Sequence, residues 1–443
     1  MRALFLACFL LSAGLGSAQQ PDWEKLGAEA ERNLSDYLRI NTSNPPAETV
    51  PAARFLKNLL EKEGIAVTIY ESEPGKKANL LARLPGTGKH KPILLLNHMD
   101  VVPVDPSRWT MDPFGGLVRD GGIWGRGAMD MKSLGIIHLM SLVALKRSGA
   151  RPDRDIVFLA TADEETGGEW GAQWMIENHY SQLDPEYVLD EGGFGTRDAL
   201  APGRLVYGIS VADKRSLWLR ATATGASGHG SQPIPDNANE ILVGALGRIL
   251  SRPHPASEIG LVRTVRERVG GRFAENKFTR AVERNTCSLT TLRSGVGDPP
   301  KVNVIPSRSE AMLDCRLLPG QSPEEFLARL RSLAGDPRVR LEVIRTAEAA
   351  PASPWDTPLF RAMERVLLRQ SDTAVVTPII VPYGTDGSKF RAHGVTVYGF
   401  IPMVVDLDVL SSMHSDQEQI PAAEFRRGLR VLYDILREFT GSR

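Results

Sequence analysis

An alternation of strand-length apolar runs with helix-length segments, broken once and then resumed, restricts this fold more than any other feature of the chain. The runs AVTIYE, ANLLARL, PILLLNH, DIVFLAT and YVLDE are strand-like, and segments 132–148 and 171–179 between them carry helical patterning. Strands alternating with helices point to a mostly parallel sheet covered on both faces. Ahead of them, 23–63 reads as helical around the loop NTSNPPAE, where paired prolines stop a helix. At Ser210 the texture changes. SLWLRATATG, a helix at 237–251, two strand-like runs around Cys287 and Cys315, a helix at 323–333 and VRLEVI together describe a small α+β sandwich. After AAPASPW the alternation returns with a helix at 358–370, VVTPIIV, VTVYGF and a last helix at 422–439. The expectation is an α/β domain in two parts, 19–209 and 348–443, interrupted by an inserted α+β sandwich at 210–347.

The first residues, MRALFLACFLLSAGLGSAQQ, carry Arg2, an apolar run, and small residues ending in Ser17-Ala18. That is the form of a secretory signal, so residues 1–18 are read as a signal peptide, in preference to a retained anchor, and the chain as secreted or periplasmic. No later stretch is long and apolar enough to span a bilayer, so no membrane insertion is expected. Fifty-three basic and fifty-three acidic side chains cancel, which leaves no electrostatic reason to expect nucleic acid as a partner. Cys8 would leave with the signal. Cys287 and Cys315 remain, either joined, as an exported chain permits, or as two buried thiols.

In open α/β sheets the functional crevice lies beyond the carboxyl ends of the strands. Here PILLLNHMD ends in His98 and Asp100, DIVFLATADEE in Glu164 and Glu165, and YVLDEGG in Asp190 and Glu191, while WGRGAMDMK supplies Asp130 and SSMHSDQEQI supplies His414. Taken singly, a His after a strand is a satisfied residue more often than a ligand, and DEE is an ordinary solvated turn or helix cap. Together, carboxylates this dense would repel one another unless something positive sat between them. Zinc suits imidazole and carboxylate donors, and one carboxylate can bridge two ions. His90, His138, His179, His254 and His393 show no such setting.

Through NHMDVVPVDPSRWTMDPFGG, GRGAMDMK, ADEETGG, LDEGG, GHGSQP, NVIP, DCRLLPG and YGTDGSKF the chain resembles the zinc metallopeptidases that include aminoacylase, carboxypeptidase S, acetylornithine deacetylase and succinyl-diaminopimelate desuccinylase. The resemblance covers nearly all of the mature chain. It implies a phosphorylase/hydrolase-like mixed-sheet catalytic domain with the insertion as a lid or dimerisation domain. It also implies two zinc ions, with cobalt or manganese as alternatives, held by His98, His414, Asp130 as the bridge, Glu165 beside His414, and Glu191 beside His98. Asp190 remains the alternative to Glu191. Asp100 would hold the His98 imidazole in its ligating tautomer, and Glu164 would be general base and then general acid. His229 would stabilise the oxyanion, delivered by lid closure or from a partner subunit in a homodimer. Arg316, Asn303 and the backbone of Gly384 and Thr385 would bind a substrate carboxylate. Two departures stand out: Ser133 where relatives often carry Gly, and Met131 after Asp130, a position often joined by a cis bond. Neither removes a ligand. The implied activity is hydrolysis of the amide bond of a small peptide or N-acyl amino acid with a free carboxylate, by a carboxypeptidase, dipeptidase or aminoacylase. The carboxypeptidase S and N-acyl-amino-acid hydrolase branch looks closest. The reading from another class is a zinc-binding protein without catalysis.

Overall fold

The computed structural model describes residues 20–251, 253–257 and 259–442. The expected signal peptide lies outside the described residues. An eight-stranded sheet forms the larger body, in the order Val67–Glu73, Lys77–Leu84, Arg154–Thr161, His90–His98, Tyr187–Thr196, Thr396–Val404, Val206–Asp213, Val375–Val381. The four strands from Arg154–Thr161 to Thr396–Val404 run parallel. The first two pair antiparallel with each other and with the third, so the sheet is mixed.

Burial on both faces explains why the central strands read as unbroken apolar runs. Ile93 and Leu95 point into the main core with the helix Lys132–Arg147, whereas Leu94 and Leu96 point to the other side, against Met175 of the helix Ala172–Leu183 and Phe390. The same alternation sends Phe158 to one face and Val157 and Leu159 to the other. The helices Trp23–Leu38 and Ala422–Thr440 complete the main core through Leu34, Phe425 and Leu432.

A separate core lies inside an antiparallel four-stranded sheet ordered Thr286–Ser294, Arg308–Leu317, Arg215–Thr224, Val339–Thr346. Helices Ala238–Leu250 and Pro323–Ala334 cover one face of it, packing Leu242, Ile249 and Leu330 against Leu217, Leu219 and Leu313. Cys287 and Cys315 stand directly opposite each other on adjacent strands and are bonded.

Two features depart from the expected division of the chain. The strand Val206–Asp213 belongs to the large sheet, where it pairs in parallel with Val375–Val381, so that sheet extends past residue 209 and the chain crosses over at Lys214. Lys214 is buried there, donating to the carbonyls of Ala281 and Arg284 and to Thr286 Oγ1. Within 210–347, the helices Gly260–Arg268 and Lys277–Val282 pack on the main core through Leu261, Val262, Val265, Phe278 and Val282. GLVRTVRER carries too narrow an apolar stripe among its arginines to announce a helix from the sequence. Among the described residues no helix is long and apolar enough to cross a membrane.

Candidate metal centre

The carboxyl ends of the parallel strands converge as expected for an open sheet. His98 is the last residue of its strand and lies in register with Thr161, after which the chain turns through Glu164–Thr166. Glu191 sits in the neighbouring strand Tyr187–Thr196, and Asp130 immediately precedes the helix Lys132–Arg147, joined to Met131 by a cis peptide. His414 reaches in from the loop before the short strand Gln419–Pro421.

These five side chains form two groups sharing one carboxylate. His98 Nε2 lies 3.0 Å from Asp130 Oδ1 and 3.6 Å from Glu191 Oε1. His414 Nε2 lies 3.1 Å from Asp130 Oδ2 and 3.4 Å from Glu165 Oε2. Within each group the potential ligand atoms all fall within 4.8 Å of one another. Asp130 thus offers one oxygen to each side, as a carboxylate bridging two cations must. At 190–191 the two side chains diverge: Glu191 faces the cluster, while Asp190 turns away, its Oδ2 accepting from Gly387 N at 2.8 Å. Glu165 Oε1 is buried without a hydrogen-bond partner among the described residues, a costly state for a carboxylate unless a cation takes it up.

Asp100 meets the His98 ring through its main chain and carries further contacts through its side chain. The His98 Nδ1 proton goes to the backbone carbonyl of Asp100 at 2.9 Å, while the Asp100 carboxylate stands 3.6 Å away. Its two oxygens instead accept from Glu164 N and Glu165 N, each at 3.1 Å, and from Asn44 Nδ2 at 2.7 Å. Asp100 therefore fixes the imidazole through its main chain and the two glutamates through its side chain. In the run of three carboxylates, Asp163 adopts φ 72° and faces inward to Lys77 Nζ at 2.6 Å, which frees the next two to face the crevice. Glu418, absent from the sequence-derived set, does for Asp130 what Asp100 does for Glu165. Fully buried, it accepts from Gly127 N, Met129 N and Asp130 N and pairs with Arg126 at 2.6 Å.

The charges are under tension as the protein alone would hold them. Burial, then the charge of Asp130, raises Glu165 and raises Glu191 well above the usual carboxylate range. Burial would lower His414, but its bonds to Asp130 and Glu165 lift it to about 10. Burial opposes protonation of His98 too, and the nearby carboxylates of Asp100, Asp130 and Glu191 outweigh it and hold it well above its ordinary value. Without metal, protons must collect on the imidazoles to neutralise the carboxylates, which is the role cations would take over. Glu164 is raised well above its ordinary value by burial, with the charges of Glu191, Asp386 and Glu165 adding to this against the pull of His98.

The remaining predicted residues stand apart from this cluster. His229 is exposed, on the short strand Gly228–His229 paired with Val304–Ile305. Ser231 N donates to its Nδ1, so in the neutral ring the proton rests on Nε2, the donor form. Asn303 is exposed and offers its carbonyl to Gly230 N. The Arg316 fork is taken up by Asp314, at 2.8 and 3.1 Å. Gly384 is exposed, but Thr385 is buried with both its N–H and its hydroxyl directed to Asp213 Oδ2 at 3.3 Å. None of these five residues hydrogen-bonds to the five-residue cluster among the described residues.

The family model for peptidase family M20/M25/M40 matches residues 94–438, from the His98 strand to the C-terminal helix. The chain belongs to this family. Aminoacylase-1 of Sus scrofa is 31% identical over 405 residues, covering 90% of this chain and 92% of the relative. The Homo sapiens N-fatty-acyl-amino acid synthase/hydrolase PM20D1 is 29% identical over 444 residues, covering 92% and 86%. Among solved structures, the M20 family metallo-carboxypeptidase Sso-CP2 from Sulfolobus solfataricus superposes with a TM-score of 0.70 at 20% identity, over 93% of this chain and 99% of that one. The M20 assignment and the mixed α/β fold agree with the expectation from the motifs, and make the chain a metal-dependent amidohydrolase.

Proposed function

We propose that the chain hydrolyses the amide bond of small peptides or N-acyl amino acids bearing a free carboxylate, with a pair of zinc ions held between His98, Glu191, Asp130, Glu165 and His414. The observation that carries this reading is Asp130 presenting one oxygen to each histidine, with an unsatisfied Glu165 oxygen beside it. Imidazole and carboxylate donors suit zinc. When bound, such cations supply Lewis acidity, lowering the pKa of a water and offsetting negative charge on an amide carbonyl oxygen.

Glu164 is next in sequence to Glu165 yet outside both ligand groups, a position from which its carboxylate can take a proton from the attacking water and return it to the leaving nitrogen. Asp100 keeps Glu164 in place through its N–H. The Nε2–H of His229 is a suitable donor for the oxyanion once the inserted unit closes or a partner subunit supplies it. Arg316, Asn303 and Gly384 are the candidates to receive the substrate carboxylate, Arg316 by exchanging Asp314 for it. The N-terminal pattern supports export, tested by sequencing the N-terminus of the mature protein.

Hydrolysis of dipeptides and N-acyl amino acids by zinc-loaded protein, each compared with its C-terminal amide, tests this reading. Turnover of the free acids with little of the amides is expected. Equal turnover of both would remove the carboxylate anchor, and no turnover of either would remove the hydrolase assignment.

A further inference from the structure

The Glu164–Thr166 turn is fastened from two sides, and only one belongs to its own domain. On the inner side Asp100 accepts the N–H groups of Glu164 and Glu165, and Asn44 Nδ2 reaches Thr166 Oγ1 at 3.1 Å. On the outer side, Arg345 from the edge strand of the inserted sheet crosses the crevice. Its Nη1 donates to the Thr166 carbonyl at 3.3 Å, and its Nη2 lies 3.6 Å from Glu169 Oε1.

Three local features serve this contact. The ladder between Val339–Thr346 and Arg215–Thr224 shifts register between Val343 and Arg345, an irregularity that re-aims a side chain and sets Arg345 opposite Trp218. The guanidinium lies over the Trp218 ring, 5.5 Å from its centroid, so the indole acts as a shelf beneath it. Gly167, at φ 117°, leaves the space: a Cβ there would stand 2.3 Å from Arg345 Nη2. A flat fork that stacks on one face while donating from two nitrogens is a task for arginine, which a lysine performs only in part.

We propose that Arg345 is a positioning residue for the reaction, holding the Glu164–Thr166 turn so that the placement of Glu164 depends on the inserted unit being seated over the crevice. The inference rests on the proposed role of Glu164. Arg345→Met keeps the aliphatic stem over Trp218 and removes the donors. In that variant kcat falls about tenfold, with KM within about twofold of wild type, because a misplaced base slows the chemical step and leaves substrate binding intact. Two metals per chain and the thermal midpoint are retained, and Arg345→Lys recovers part of the lost kcat. Amide hydrogen exchange across 163–170 supplies a readout independent of turnover, expected to be about tenfold faster in Arg345→Met. If wild-type protein turns over no substrate, the functional reading fails and the exchange result still decides the contact. Unchanged exchange in Arg345→Met overturns the inference, as does an unchanged kcat in an active enzyme. A fall in kcat accompanied by metal loss or a lowered midpoint overturns it in favour of a general structural role.

Discussion

Glu164 and Glu165 share a turn and differ in setting: Asp100 grips both their N–H groups, while only Glu165 reaches His414. Replacing Glu164 by glutamine removes a proton carrier and no ligand. Glu164→Gln is expected to keep two metals, measured by elemental analysis, and to lower kcat by about 10²–10⁴-fold. Glu418 makes a different prediction. Its carboxylate holds three backbone N–H groups of the loop that carries Asp130, so Glu418→Gln should weaken metal affinity by about 10–100-fold in a competitive chelator titration. The clustered residues stand in motifs that the sequence shows, His98 closing a strand and Asp130 standing just before a helix, whereas Glu191 lies within a strand and His414 in a loop. Glu418, within SSMHSDQEQI, is not legible in the sequence, because a side chain bonding to backbone 288 residues away leaves no local pattern. Asp100 was legible as a residue, but not the split between its main chain, which meets His98, and its side chain, which meets Glu164 and Glu165, since backbone and side-chain acceptors of one residue cannot be told apart in sequence.

At the scale of elements, the helix Lys132–Arg147 opens at the metal centre and is buried along nearly its whole length, carrying His138 into the main core. Burial lowers the His138 imidazole from 6.5 to about 3. The unfolded chain therefore binds more protons than the folded one between those values, so stability is lost as pH falls below about 6.5 and is unaffected above it. In metal-free protein, His138→Leu should remove that component. Urea unfolding should show the variant gaining on wild type by roughly 1.4 kcal/mol per pH unit below 6.5 and not above it. The strand pair Thr286–Ser294 and Arg308–Leu317 gives a second case. Its disulfide closes a sequence separation of 28, and the double replacement Cys287→Ser, Cys315→Ser should destabilise the inserted unit by about 2–4 kcal/mol in denaturant unfolding. Strand and helix positions in both units were legible because their periodicities are clean. The helices at 260–268 and 277–282 were not, because their apolar residues are too few to signal where they pack.

Across the whole molecule, the two cores meet at the Lys214 crossover and face each other over the crevice, where Arg345 touches the Glu164–Thr166 turn. His229 lies on the inserted unit and makes no bond to the cluster among the described residues, so the oxyanion role proposed for it requires that it arrive by closure or from a second copy. Mixing His229→Ala with Glu164→Gln protein separates these routes. Sharing between subunits restores roughly a quarter of wild-type activity, since mixed dimers then hold one complete site, and closure within one chain restores none. The change of texture near Ser210 could be seen in the sequence, whereas the approach of the two sheets could not, since it depends on the joint geometry at residues 213–215.

The two-cation amidohydrolase is tested most directly by titrating zinc into chelated protein while following turnover of an N-acyl amino acid or dipeptide together with bound metal. Activity should rise from near zero and reach its plateau at two metals per chain. Full turnover in chelator, or a plateau with Asp130→Ala indistinguishable from wild type, would contradict the account.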